Sequence, residues 1–203
     1  VLNHHGRRGD SMDEVKYPMF QLNKTCMKCP DLVKSRKRIT WGYGNIHSPV
    51  IFVGEAPGYL GCDITGIPFT KDRSGEYFQS MLKTVGWDKE SVYVTNIVKC
   101  CPQGNREPID TEISNCDIFL RDEIWTIHPK YIVLMGRPAM KAILKIDASI
   151  INNWDKVRII GEVRYITIPH PAFIIRNKQR WEADYIKSFQ KIRGLSNVQE
   201  VSW

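Results

Sequence analysis

Residues Pro49 to Leu82 read PVIFVGEAPGYLGCDITGIPFTKDRSGEYFQSML. The run Val50 to Val53 is short, apolar and β-rich, as a buried strand requires. It passes directly into Gly54-Glu55-Ala56-Pro57-Gly58 and a long polar, glycine-rich loop. A helical pattern begins near Ser74, with Tyr77, Phe78, Met81, Leu82 and Val85 recurring on one face. Strand, loop and helix in this order predict an open α/β sheet, in which ligands bind beyond the carboxyl ends of the strands. Glu55, Asp63, Phe69 and Asp72 are therefore expected to face a site. The loop lacks G-x-G-x-x-G and G-x-x-x-x-G-K-[ST], which removes the main support for dinucleotide and nucleoside triphosphate sites.

Further elements follow the same alternation. Ser91 to Val98 predicts a second strand with Asn96 at its carboxyl end, and Asp110 to Ile127 predicts a long amphipathic helix capped by Asp110 or Thr111, with Cys116 on its buried side. Lys130 to Met135 predicts a third strand, and Arg137 to Leu144 a short helix begun by Pro138. Val157 to Ile160 and Val163 to Ile168, around Gly161-Glu162, read as a hairpin or an irregular strand. The second run ends in the expected loop His170-Pro171-Ala172-Phe173-Ile174-Ile175-Arg176, before a last helix from Gln179 to Arg193 and a loosely held tail after Gly194. Nearer the amino terminus a helix is expected over Asp31 to Arg38, beside a C-x-x-C pair. The expected architecture is a three-layer α/β sandwich: a mostly parallel central sheet of about four strands with helices on both faces. Loops after the first, second and last strands would then open on one side.

The 203 residues suit one core. Residues 1–11 (VLNHHGRRGDS) read as a remnant of recombinant expression and residues 12–203 as a single domain. Arg7 and Arg8 less Asp10 supply +1 of the formal +7, and the remaining excess suits a polyanionic partner or a merely basic surface. No signal peptide or membrane span is apparent, so a cytoplasmic, monomeric protein without membrane contact is expected. Six cysteines in such a chain do not imply disulfides. Cys26-Met27-Lys28-Cys29 is compatible with a redox pair, half a zinc site or half an iron–sulfur site.

Gly54-Glu55-Ala56-Pro57-Gly58, the Phe69-Thr70-Lys71-Asp72-x-Ser74-Gly75 run, Thr95-Asn96-Ile97-Val98-Lys99-Cys100 and the H-P-A-x-x-x-R run at His170 together resemble the uracil-DNA glycosylase superfamily, iron–sulfur type. The opening Gly-Glu-Ala-Pro-Gly is similar to family 4, and the longer gap to Phe69 is similar to family 5. The resemblance covers about residues 24–176. It implies hydrolysis of the N-glycosidic bond of uracil, or another deaminated base, in DNA. The implied cofactor is a structural [4Fe-4S] cluster on Cys26, Cys29, Cys100 and Cys116, with zinc as the alternative on the same ligands. Neither Cys62 nor Cys101 belongs to that set.

The resemblance assigns roles residue by residue. Phe69 stacks on the flipped base, Asn96 pairs with its edge, and His170 donates to the oxygen where charge develops. Glu55, Ala56, Gly58 and Asn105 belong to the substrate pocket, and backbone N–H groups of the Glu55 to Gly58 turn are further donors to the same oxygen. Ala56 stands where well-known uracil glycosylases carry Asp, so Asp63 and Glu55 compete to orient water. Asp63 is expected to orient the water, with Glu55 shaping the pocket or stabilising the cation. Phe173, Ile174 and Arg176 are expected to wedge into DNA, with Arg176 or Lys71 on phosphates. A nucleic-acid binding module that lost catalysis and a redox protein are the other classes considered. A sliding clamp or polymerase partner is not readable.

Overall fold

The computed structural model describes residues 25–197, so the expectation for residues 1–11 lies outside the described residues. Four parallel strands form the centre of the sheet: β2 (Val50–Gly54), β3 (Tyr93–Asn96), β4 (Tyr131–Met135) and β6 (Val163–Ile168). Their order is β3-β2-β4-β6, and an antiparallel strand closes each edge, β1 (Tyr43–Gly44) on β3 and β5 (Val157–Ile160) on β6. The sheet thus has six strands where about four were expected. The additions are the edges, β1 arising in a glycine-rich stretch and β5 as the first arm of the hairpin.

Every residue of β2, β3 and β4 is buried, because helices cover both faces. Val50 and Phe52 point to one side, where α3 (Arg73–Thr84) and α7 (Lys178–Asn197) bring Phe78, Leu82, Tyr185 and Phe189. Ile51 and Val53 point to the other, against Cys116, Phe119 and Leu120 of α4 (Asp110–Ile127) and Ala139 of α5 (Arg137–Leu144). The two-residue period of each strand makes both cores.

Local chemistry sets the helix starts. Asp72 caps α3, its Oδ1 accepting from the Gly75 N–H at 2.7 Å. Neither Asp110 nor Thr111 caps α4. The cap is Ile109, whose N–H donates to Glu112 Oε2 at 3.0 Å, and Arg106 holds that carboxylate at 2.6 Å. Before α1 (Pro30–Ser35) lies the C-x-x-C pair, and α2 (Cys62–Thr65) is a single turn inside the long loop after β2. The expected loop at His170 is instead α6 (Pro171–Arg176), with His170 as its cap and Pro171 in its first turn. The loose tail expected after Gly194 stays helical to Asn197. Among the described residues no helix is long and apolar enough to cross a membrane.

Candidate active site

The sheet changes winding direction at β2, since β3 lies to one side of it and β4 to the other. A crevice beyond the carboxyl ends is the expected consequence. A pocket of about 500 Å³ occupies it, walled by residues that follow β2, β3 and β6. Glu55, Ala56, Gly58, Phe69, Asn96, Asn105, His170, Phe173 and Arg176 all line it, so most of the anticipated residues converge.

The aromatic wall is built by close approach. Phe69 adopts a left-handed φ of 53°, and α3 comes so near that a Cβ on Gly75 would strike the Phe69 backbone. A Cβ on Gly54 would lie 2.5 Å from Asn96 Oδ1 and 2.8 Å from the Phe69 ring, so only glycine leaves room between them. The Phe69 ring packs 4.8 Å from Phe78 and 5.6 Å from His170, centroid to centroid. Asn96 is paired in register with Gly54 and is almost fully buried. Neither its Oδ1 nor its Nδ2 has a hydrogen-bond partner among the described residues. A buried amide left unpaired costs free energy, and here it lines a pocket wide enough for a ligand that would satisfy it.

His170 Nδ1 accepts from the Ala172 N–H at 3.2 Å, which places the ring proton of the neutral form on Nε2. Burial, with Arg176 nearby, pushes this imidazole down to about 4, so it stays neutral at physiological pH. Burial pushes Glu55 the opposite way, up to about 7, with Glu107 adding repulsion and Arg137 opposing it. The Gly58 N–H is already committed to Cys62 Sγ at 3.3 Å, which removes it from the expected set of backbone donors.

Three anticipated residues are elsewhere. Asp63 is 0% exposed and lies off the pocket wall, its Oδ1 accepting from the Lys37 N–H at 3.0 Å. The turn of α2 carries it inward, away from the pocket wall. Ile174 is also 0% exposed, packed into the core from α6, and is no wedge. Lys71 is exposed and outside the pocket wall, whereas Arg176 reaches it.

The model of the Uracil DNA glycosylase superfamily matches residues 41–193. The chain belongs to this superfamily. It is 33% identical over 199 residues to a type-4 uracil-DNA glycosylase of Archaeoglobus fulgidus, covering 92% of this chain and 94% of that protein. A type-4 uracil-DNA glycosylase of Thermotoga maritima is 34% identical over 158 residues, covering 76% of this chain and 80% of that protein. A type-5 uracil-DNA glycosylase of Pyrobaculum aerophilum is 32% identical over 149 residues, or 60% of this chain and 66% of that protein. The double likeness agrees with the mixed family 4 and family 5 character of the motifs.

In this superfamily member the four cysteines of the anticipated ligand set come from three segments, and burial pushes the thiols of Cys29, Cys100 and Cys116 up from their ordinary value. N–H donors meet three of the sulfurs: Arg36 on Cys100 at 3.1 Å, the Lys99 backbone on Cys116 at 3.3 Å and Asn115 on Cys29 at 3.6 Å. Such donors suit sulfur that carries negative charge as a ligand. Among the described residues no three His, Cys, Asp or Glu side chains are gathered tightly enough for a single metal ion.

Sequence reasoning assigned no role to a buried ion pair directly beneath the pocket. Lys99 Nζ donates to Glu123 Oε2 at 2.7 Å, to Thr95 Oγ1 at 2.7 Å and to the Asn96 carbonyl at 2.9 Å. Thr95 Oγ1 donates to Glu123 Oε2 at 2.6 Å, and the Gly42 N–H to Oε1 at 3.0 Å. A lysine three residues after Asn96 was visible, but its partner lies in α4 at no periodic spacing. Asp72 was expected at the site; its role as the cap of α3, with Oδ1 spent there, was not. Arg106, next to Asn105, also lines the pocket and was overlooked.

Proposed function

We propose that this chain is a monofunctional uracil-DNA glycosylase, hydrolysing the bond between uracil and deoxyribose in DNA and leaving an abasic site. The observation that carries this reading is the unpaired, buried Asn96 amide in the pocket that Phe69 and His170 also line. A uracil flipped out of the duplex offers an acceptor, O4, beside a donor, N3–H, which an amide side chain satisfies with one hydrogen bond each. The ring would stack on Phe69. His170 Nε2–H would donate to uracil O2, where negative charge gathers as the C1′–N1 bond breaks; one such donor is worth about 3 kcal/mol in comparable oxyanion sites.

Glu55 takes the role first given to Asp63. Its carboxylate, at the end of β2, would accept a proton from water as the water oxygen bonds to C1′, and would stabilise the cationic sugar. Uracil leaves as an anion held by His170 and takes its proton from solvent. Of the two arginines on the pocket wall, Arg106 is tied to Glu112, and Arg176 would meet a phosphate.

Cys26, Cys29, Cys100 and Cys116 would hold a [4Fe-4S] cluster, which supplies a cross-link among three segments and no step of the hydrolysis. A single zinc ion on the same four thiolates is the alternative occupant. Anaerobically purified protein should be brown and contain about four iron atoms per chain. Colourless protein with one zinc would overturn the assignment.

The activity itself is tested by single-turnover release of uracil from an oligonucleotide. Phe69→Ala and Asn96→Ala should each slow release roughly tenfold or more, through lost stacking and lost edge pairing. Release at the parent rate by both variants would remove the pocket from the reaction, and no release by the parent chain would leave only a binding module.

A further inference from the structure

The loop joining β2 to α2 presents opposite sides to two environments. Pro57, Gly58 and Cys62 line the pocket, whereas Tyr59 and Leu60 between them are 50% and 64% exposed. Single exposed apolar residues need no explanation, but an adjacent pair at the rim of a binding pocket does. The tip is rigid. The Tyr59 N–H donates to Asn105 Oδ1 at 2.9 Å, and the Gly61 and Asp63 N–H groups both donate to the Gly58 carbonyl, at 3.1 and 3.2 Å. A Cβ on Gly61 would collide with Asp72 and lie 2.8 Å from the Thr70 carbonyl, so the loop is seated tightly on the one that follows.

The surroundings are cationic. Lys37 Nζ lies 4.8 Å from the centre of the Tyr59 ring, and Lys37, Arg38, Lys71 and Arg73 are all exposed. The acids within residues 57–73 are Asp63 and Asp72, the first buried and the second capping α3. An apolar tip between positive side chains matches a base stack between phosphate strands. Extruding a nucleotide leaves a gap in that stack, which an apolar side chain can fill. On helix α6, Ile174 is sealed in the core and Phe173 is partly buried against it, facing the pocket.

We propose that Leu60 is the wedge that enters the stack where the nucleotide leaves, with Tyr59 beside it and Lys37 on a neighbouring phosphate. The proposal rests on the glycosylase reading above and adds the surface that opens the duplex. Its test is the ratio of single-turnover uracil release from duplex to that from single-stranded oligonucleotide, measured for the parent chain and for Leu60→Ala. Leu60 is exposed, so its truncation leaves the core intact. A wedge is needed only where a neighbouring stack must be held open, so the ratio should fall roughly tenfold, and Leu60→Phe, which also fills the gap, should restore most of it. An unchanged ratio, whether both rates hold or both fall together, would overturn the wedge while leaving the glycosylase reading intact. Absence of release by the parent chain from either substrate would overturn both.

Discussion

At pH 8, Glu55→Gln should release uracil in single-turnover assays roughly 100-fold more slowly than the parent chain, the loss expected of a general base that also stabilises charge. The pH profile distinguishes this from a packing defect. Burial holds the Glu55 carboxyl near 7, and the reactive form is the carboxylate. The rate should therefore rise with pH, level off above about 7, and fall about tenfold for each unit below it. His170, held down to about 4, stays neutral across this range and contributes nothing to the limb. Replacing Glu55 by Gln should flatten the limb as well as lower the plateau. A slow variant with the limb intact would assign the titration elsewhere, and a parental rate would leave the water to backbone groups and the burden of catalysis to His170.

The second large effect lies beneath the pocket. Lys99→Met should destabilise the fold by about 3–5 kcal/mol, because it abandons the Glu123 carboxylate in a site with no access to water. For a domain of this size that corresponds to a fall in Tm of about 10 °C. Thr95 Oγ1 and the Gly42 N–H would still bind Glu123, but neither cancels its charge. The double variant Lys99→Met with Glu123→Leu should recover most of the loss, since a packed apolar pair often matches a buried ion pair in stability. Thermal unfolding of both variants decides it: a single variant within about 1 kcal/mol of the parent would mean the pair contributes little. Because Lys99 also holds the Asn96 carbonyl, the stable double variant should still release uracil more slowly than the parent.

Elements with a strong period were legible in the sequence. The bounds of α4 and α5 follow from their apolar stripes and end signals, and the buried runs of β2 and β4 from their length. The convergence of Glu55, Asn96 and His170 follows once their strands are parallel and share an end. Side-chain direction inside short elements was not legible. Asp63 sits in one helical turn between Gly61 and Gly66, a stretch that reads as loop, and that turn decides whether it faces pocket or protein. The H-P-A run was read as a loop although His170 and Pro171 carry the signals of a helix start; with the helix in place, Ile174 must point inward. Strand β1 has two residues, too few for any period to show. The ion pair of Lys99 and Glu123 joins positions 24 apart, and only the packing of α4 on the sheet brings them together.

The unpaired state of Asn96 bears on fidelity. No described protein group fixes which end of the amide is oxygen and which is nitrogen, so a half-turn about χ2 exchanges donor for acceptor. One orientation pairs with uracil, and the other would pair equally well with the amino group and N3 of cytosine. The side chain alone then discriminates by no more than the difference between its two rotamers. Much of the choice passes to the DNA, where a uracil opposite guanine is held by a mismatch and a cytosine by a full Watson–Crick pair that resists extrusion. Selectivity in this chain would then be exercised at the threshold of the pocket as well as inside it.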